Sequence, residues 1–269
     1  MMLPDNLDTL ARGICRDEME ITGGHLDRVE FARASAKIQR RPDAILKMKR
    51  GLVKFMGAAY YLRDAERFRA AVVAYQGTTE DLLTGFDVPP EALLVDLCLA
   101  IIHGPTKLRR ATIAAIMRDE REPEVRNAPR VVARILAATS DLDRDAAVSD
   151  AWLLRGAWQG EALPDEQDRR YSSFAVAALR LNRGDSPHPL MRIERALYMT
   201  DRAVEASIRT ELERIQRGSA SAITASSFVD FPTAALAAIA ASRASRAVQE
   251  NWPATVFSDF RWMGESGWA

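Results

Sequence analysis

Apolar residues in this chain recur at helical spacing and almost nowhere alternate. The stretch opened by Pro42-Asp43 carries Leu46, Leu52, Val53, Met56 and Tyr60, which fall on one stripe of a helix. No run alternates Val, Ile, Thr and aromatic residues, and no Asn-Gly or Asp-Gly pair marks a hairpin. Alanine, leucine and arginine, all strong helix formers, are abundant. The expected fold class is all-α, without a sheet.

Start and stop signals divide the rest. Asp64 caps a segment from Ala65 to Tyr75, which Gly77 ends, and Thr78-Thr79-Glu80-Asp81 reads as the start of another. Pro89-Pro90-Glu91 opens an apolar helix that His103-Gly104-Pro105 closes at Ile102, and Thr106 caps the next. Ala128-Pro129 introduces Val131, Val132, Ile135 and Leu136. Asp141 or Asp143 caps a helix through Val148 and Trp152. Asp165 starts one that Asn182-Arg183-Gly184 closes. The longest is expected from Leu190 to Ile215, ending at Gly218, and the last follows Asp230-Phe231-Pro232. Gly23-Gly24 reads as a turn, with His25 and His188 in loops.

About ten helices with short polar joints give an irregular array of antiparallel helices, solenoid-like or bundled. The tetratricopeptide offsets do not repeat. A single domain spanning residues 1–269 is expected, with a soft division near 217–227.

Catalytic motifs are missing from the sequence. It contains no GxSxG, no GxxxxGK[ST], no GxGxxG, no HExxH and no CxxC. The three histidines, His25, His103 and His188, are far apart, and His103 stands where a positive charge suits a helix end. Cys15 and Cys98 sit among apolar neighbours and read as reduced, buried thiols. No catalytic, cofactor-binding or metal-binding residue is expected, and so no enzyme. The start lacks a basic and then apolar leader, and Ala92–Ile102 is shorter than the ~20 residues a bilayer needs. A cytoplasmic protein without a membrane partner is the expectation.

Charge is the stronger signal. Lys+Arg and Asp+Glu are 37 each, so the formal charge is zero, whereas nucleic-acid binders are more often basic overall. Nucleic acid is not expected as a partner. Locally, Arg28 to Arg69 holds twelve bases against four acids, net +8, and Asp141 to Asp168 holds eight acids against two bases, net −6. Solvated helix faces explain such runs. An acidic surface that receives a basic protein explains them too. The second reading makes Asp141, Asp143, Asp145, Asp165, Glu166 and Asp168 the candidate partner-binding residues. Trp252, Trp262 and Trp268 crowd the end of the chain, where Trp252-Pro253 is expected to fold the tail back.

The stretch PTAALAAIAASRASRAV followed by NWPATVF, the 26 residues from Pro232 to Phe257, is similar to the C-terminal part of the helical bacterial family catalogued as immunity protein forty-nine. It departs from that pattern in having no glycine near Ala244. It resembles, less closely, the helical immunity proteins paired with nuclease toxins. The resemblance implies a non-catalytic immunity protein of a polymorphic toxin system, bound to a cognate toxin that is basic and nuclease-like. Two other readings stand beside it. One is a helical scaffold or adaptor whose groove holds a protein or peptide. The other is an enzyme or ligand-binding protein with polar groups converging on a pocket between helices.

Overall fold

The computed structural model describes residues 3–34, 42–85, 88–119, 127–156, 166–183, 189–221 and 223–243. Among them are ten α-helices and no strand, so the fold is all-α. The helices are α1 (Asp5–Ala34), α2 (Pro42–Leu62), α3 (Ala65–Gly85), α4 (Leu94–Ile102), α5 (Thr106–Met117), α6 (Ala128–Ser140), α7 (Arg144–Gly156), α8 (Glu166–Asn182), α9 (Pro189–Gln216) and α10 (Phe231–Ser242). Short 3-10 turns cover Pro90–Leu93 and Ala225–Phe228. The chain forms two compact units. Unit 1 draws on Met1–Asp87 and Glu205–Asp230, and unit 2 on Val88–Val204 and Phe231–Gly264.

Unit 1 is built around α2, which packs on α1, α3 and the Ala225–Phe228 turn. Of the stripe expected from spacing, Leu52, Met56 and Tyr60 are buried but Leu46 and Val53 are only half-buried; the buried face is centred on Ile45, Leu52, Phe55, Met56 and Ala59, as a 3.6-residue period allows. Gly57 lets the turn reach the helix backbone. A Cβ there would fall 2.0 Å from the Ala225 carbonyl oxygen. Tyr61, one turn further, packs against Phe228 with ring centroids 4.6 Å apart and planes tilted by 44°, and donates to Asp8 of α1 at 2.7 Å. Asp8 also pairs with Arg12 at 2.7 Å. Burial and that hydrogen bond push the Tyr61 phenol well above its ordinary range.

Three sequence expectations fail in this unit. The longest helix is α1, at 30 residues, against 28 for α9. It runs through Gly23-Gly24 and His25, which form neither turn nor loop. Nor does α3 stop at Gly77. The hydroxyls of Thr78 and Thr79 donate back to the Tyr75 carbonyl at 2.6 and 3.1 Å, a bond available inside a helix, instead of capping a new one. Lys49 of α2 reaches into the same place. Its ammonium donates to Thr79 at 2.8 Å and lies 3.9 Å from the centroid of the Tyr75 ring, so the buried charge is met by a hydroxyl and a π face.

Unit 2 is built around α6, which packs on α4, α5, α7, α8, α10 and the Pro90–Leu93 turn. Ten of its thirteen residues are buried, so it is an enclosed helix and not a surface one. Asn127 caps it by accepting from the Arg130 amide at 3.3 Å. Two arginines of α6, one buried and one half-buried, are matched by acids: Arg130 by Asp119 at 2.5 Å, and Arg134 by Asp150 of α7 at 3.0 Å. The residues from Ala225 to Ser242 are long and apolar enough to cross a membrane by length and composition alone. They do not form one helix, because Val229 is extended (φ −126°, ψ 134°) and separates the 3-10 turn from α10. The twelve residues of α10 pack against α4, α6 and α8, and Phe231, Leu236 and Ile239 lie in that core.

Candidate functional site

The acidic residues singled out by charge fall into three groups. Asp141 and Asp143 lie in the tight turn between α6 and α7, Asp145 in the first turn of α7, and all three are exposed. Glu166 and Asp168 lie in the first turn of α8 by their backbone position. Asp165 lies outside the described residues, as do Trp252, Trp262, Trp268 and His188. Asp150, counted in the same acidic run, is no part of a surface. It is buried and paired with Arg134, and burial raises its carboxyl above the ordinary range while Arg134 opposes that rise.

The α6–α7 turn is built by a helix cap of defined geometry. The Leu142 amide donates to the Thr139 carbonyl at 3.4 Å and the Asp143 amide to the Ala138 carbonyl at 2.9 Å. This double bond pattern needs a left-handed residue between them, the place glycine usually takes. Here that residue is Leu142, with φ +63°. A left-handed leucine costs about 1 kcal/mol or more in backbone energy. The side chain gains little burial in return, since Leu142 is 65% exposed.

The flanking aspartates differ in what they do. Asp143 caps α7, its Oδ1 accepting from the Ala146 amide at 3.1 Å. Asp145 stands in the first turn of α7, where the helix dipole favours an acid. Asp141 follows the end of α6, where the dipole disfavours one. Neither Asp141 nor Asp145 pairs with a described side chain. The platform beneath is firmly tied. Asn182 donates to the Thr139 hydroxyl at 2.9 Å and to the Ala178 carbonyl at 3.0 Å, and Arg243 donates to the Thr139 carbonyl at 2.5 Å. Desolvation, with Arg144 nearby, lowers the Arg243 pKa.

The turn therefore presents one apolar side chain among three carboxylates on a rigid helix end. Chemically it offers recognition: a leucine to be covered and charges to pair at its rim. Leu142 was not among the residues picked out by charge. The signal that could have found it is its place between two cap-forming aspartates, where the pattern asks for glycine.

The remaining titratable groups are quieter. Both cysteines are buried and neither is in a disulfide, and burial with the nearby Glu18 carboxylate pushes the Cys15 thiol up to about 12, away from reactivity. His103 does not serve α4 as a positive charge. It is only 5% exposed, and desolvation lowers its pKa to about 4, so it is neutral near pH 7. Its backbone caps the helix instead, the amide donating to the Leu99 carbonyl at 2.8 Å. Among the described residues no three His, Cys, Asp or Glu side chains gather as a metal site would need. No protein-family model, no curated protein and no solved structure matches this chain.

Proposed function

We propose that this chain is a non-catalytic bacterial immunity protein that binds and neutralises a cognate toxin of a polymorphic toxin system, and that the α6–α7 turn is part of its contact surface. One observation carries the choice of surface. Leu142 is held exposed in a left-handed conformation that costs stability, between carboxylates, two of which have no described partner. Backbone strain kept where nothing in the fold repays it points towards use by a partner. The acids would attract a basic, nuclease-like toxin over distance, and Leu142 would be buried on contact. The similarity of Pro232–Phe257 to a helical immunity family supports the kind of partner, independently of the turn. Cytoplasmic action belongs to the same proposal, since an immunity protein meets its toxin inside the producing cell.

The reading requires a C-terminal toxin domain encoded beside this gene, and the test is co-expression with it. Protection from killing, and a complex that survives gel filtration, are expected. Asp141→Lys with Asp145→Lys should slow association and flatten its salt dependence. Failure to protect or bind would reject the immunity reading. Protection and binding unchanged by both the charge reversal and Leu142→Gly would reject the surface while leaving the immunity reading intact.

A further inference from the structure

Trp152 and Leu153 of α7 are exposed, at 39% and 36%, and the contact proposed at the α6–α7 turn does not use them. Helical spacing sets what stands beside them. Ala147, Asp150, Ala151 and Leu154 are buried, so the opposite stripe of the helix faces solvent. That stripe runs Asp145, Ser149, Trp152 and Gly156, and all four are exposed. Leu153 and the half-buried Val148 flank it. One large side chain therefore stands between two small residues. A Cβ added at Gly156 would meet nothing within 4 Å.

Charge on this face is divided along its length. Asp145 lies in the first turn of α7 and Arg155 in the last, about 15 Å apart along the axis. The Arg155 guanidinium lies 5.0 Å from the centroid of the Trp152 ring, and attraction to the π face holds it beside the exposed stripe. Neither Asp145 nor Arg155 pairs with an opposite charge among the described residues. A helix dipole accounts for an acid at the start and a base at the end. It does not account for an indole and a leucine in solvent between them, side chains that mark contact surfaces when they stand together. A partner that is basic throughout would suit Asp145 and repel Arg155. A copy of the same helix running the other way suits both.

We propose that α7 pairs with α7 of a second copy of this chain, antiparallel, about a two-fold axis level with Asp150 and Ala151. Such a contact is isologous, so every feature of the face has to meet its own complement. This register sets Trp152 of each copy opposite Ser149 of the other, a large side chain against a small one. It also sets the last turn of each helix, with Arg155, opposite the first turn of the other, with Asp145. One helix of 13 residues from each copy makes a small interface, so the dimer is weak, with a Kd of about 10–100 μM. The pairing does not depend on toxin binding, and of the acidic residues near the turn it uses only Asp145.

Analytical ultracentrifugation of the full chain tests this, at low ionic strength and from about 1 to 300 μM, a range that brackets such a Kd. A reversible monomer–dimer equilibrium is expected. Trp152→Ala should weaken it about 10-fold or more, as loss of a central aromatic does. Asp145→Arg and Arg155→Asp each set like charges opposite one another, and each variant alone should be monomeric. Mixed in equal amounts, the two should form a heterodimer, because each then supplies the charge that the other lacks. Val73→Ala, at an exposed position of unit 1, should leave the equilibrium unchanged. Circular dichroism checks that every variant is folded. A chain that stays monomeric over the whole range would overturn the proposal. So would a dimer that Trp152→Ala leaves as strong, or a mixture of the two folded charge variants that remains monomeric. None of these measurements involves a toxin, so their failure leaves the immunity reading standing, and a failure to protect leaves the pairing standing.

Discussion

The central helices of the two units, α2 and α6, end in the same way and are packed in opposite ways. Each closes with a left-handed residue that is not glycine, Arg63 after α2 and Leu142 after α6. The paired bonds are alike: Asp64 to Ala59 and Arg63 to Tyr60 in one, Asp143 to Ala138 and Leu142 to Thr139 in the other. Gly218, with φ +72°, ends α9 with the usual residue. At Arg63 the side chain returns something, its guanidinium lying 4.9 Å from the centroid of the Tyr60 ring. Leu142 points its apolar surface at solvent. Equal strain with unequal return separates a cap that the fold explains from one that it does not. In packing, α2 meets its neighbours through a stripe and one backbone approach at Gly57, whereas α6 is enclosed on most sides.

The largest effect should come from removing that backbone approach. Gly57→Ala normally helps a helix by about 1 kcal/mol. Here the new methyl would fall 2.0 Å from a backbone oxygen that no side-chain rotation can move away. A loss of about 3–5 kcal/mol in urea unfolding, or failure to fold, is expected. A stabilised variant would show that the turn does not press on α2. In unit 2 the comparable weak point is a charge. Asp150→Ala leaves Arg134 half-buried without its carboxylate and should cost about 3 kcal/mol. Removing both partners, in Arg134→Met with Asp150→Leu, should recover most of that. If the double variant is as unstable as the single one, packing and not charge holds the pair.

These two helices also show how far the sequence could be read. Both were legible from spacing, because α2 carries apolar residues at helical spacing from Leu46 to Tyr60, although Leu46 and Val53 are only half-buried, and α6 is apolar enough to need cover. The α1 helix was overlooked, although Leu7, Ala11, Cys15 and Met19 stand four apart and are all buried. Weight given to Gly23-Gly24 as a turn hid that ladder. The division expected at Gly77 failed for a tertiary reason. Thr78 and Thr79 look like caps, but both hydroxyls donate back to the Tyr75 carbonyl and Lys49, thirty residues before Thr79, donates to the Thr79 hydroxyl. The total of about ten helices agrees with the structure partly because one helix was overlooked and one divided. At the candidate site, charge located Asp141, Asp143 and Asp145. It could not tell Asp150, buried by a tertiary contact, from its exposed neighbours, and it said nothing of an apolar residue such as Leu142.

A third effect is set by pH. His103 lies in unit 2, with a folded pKa of about 4 against 6.5 for a solvated imidazole. Between those values the unfolded chain takes up a proton that the folded chain refuses. Stability is therefore complete above pH ~6.5, falls as the pH drops towards ~4, and falls no further from this group below that. The loss should reach up to about 3 kcal/mol. Urea unfolding of the natural chain and of His103→Gln at both ends of that window measures it. Carboxylates contribute equally to the two proteins, so the difference isolates His103. Equal losses in both would mean that the imidazole is solvated in the folded state.

The smallest effect bears most directly on function. Arg63→Gly and Leu142→Gly both place the preferred residue in a left-handed cap, worth about 1 kcal/mol before the flexibility glycine adds to the unfolded chain. Arg63→Gly also gives up the contact with Tyr60, so its net gain should be close to zero. Leu142→Gly gives up no described contact and should stabilise the protein by most of that amount, seen as a rise of about 2–4 °C in melting temperature for a chain of this size. The same substitution removes the apolar centre of the acidic turn. If the turn is a contact surface, Leu142→Gly makes the chain more stable and a weaker antagonist of its toxin, while Arg63→Gly changes neither by much. A more stable variant that still protects fully would reduce Leu142 to an unrepaid strain, and the comparison between the two caps would then carry no functional meaning.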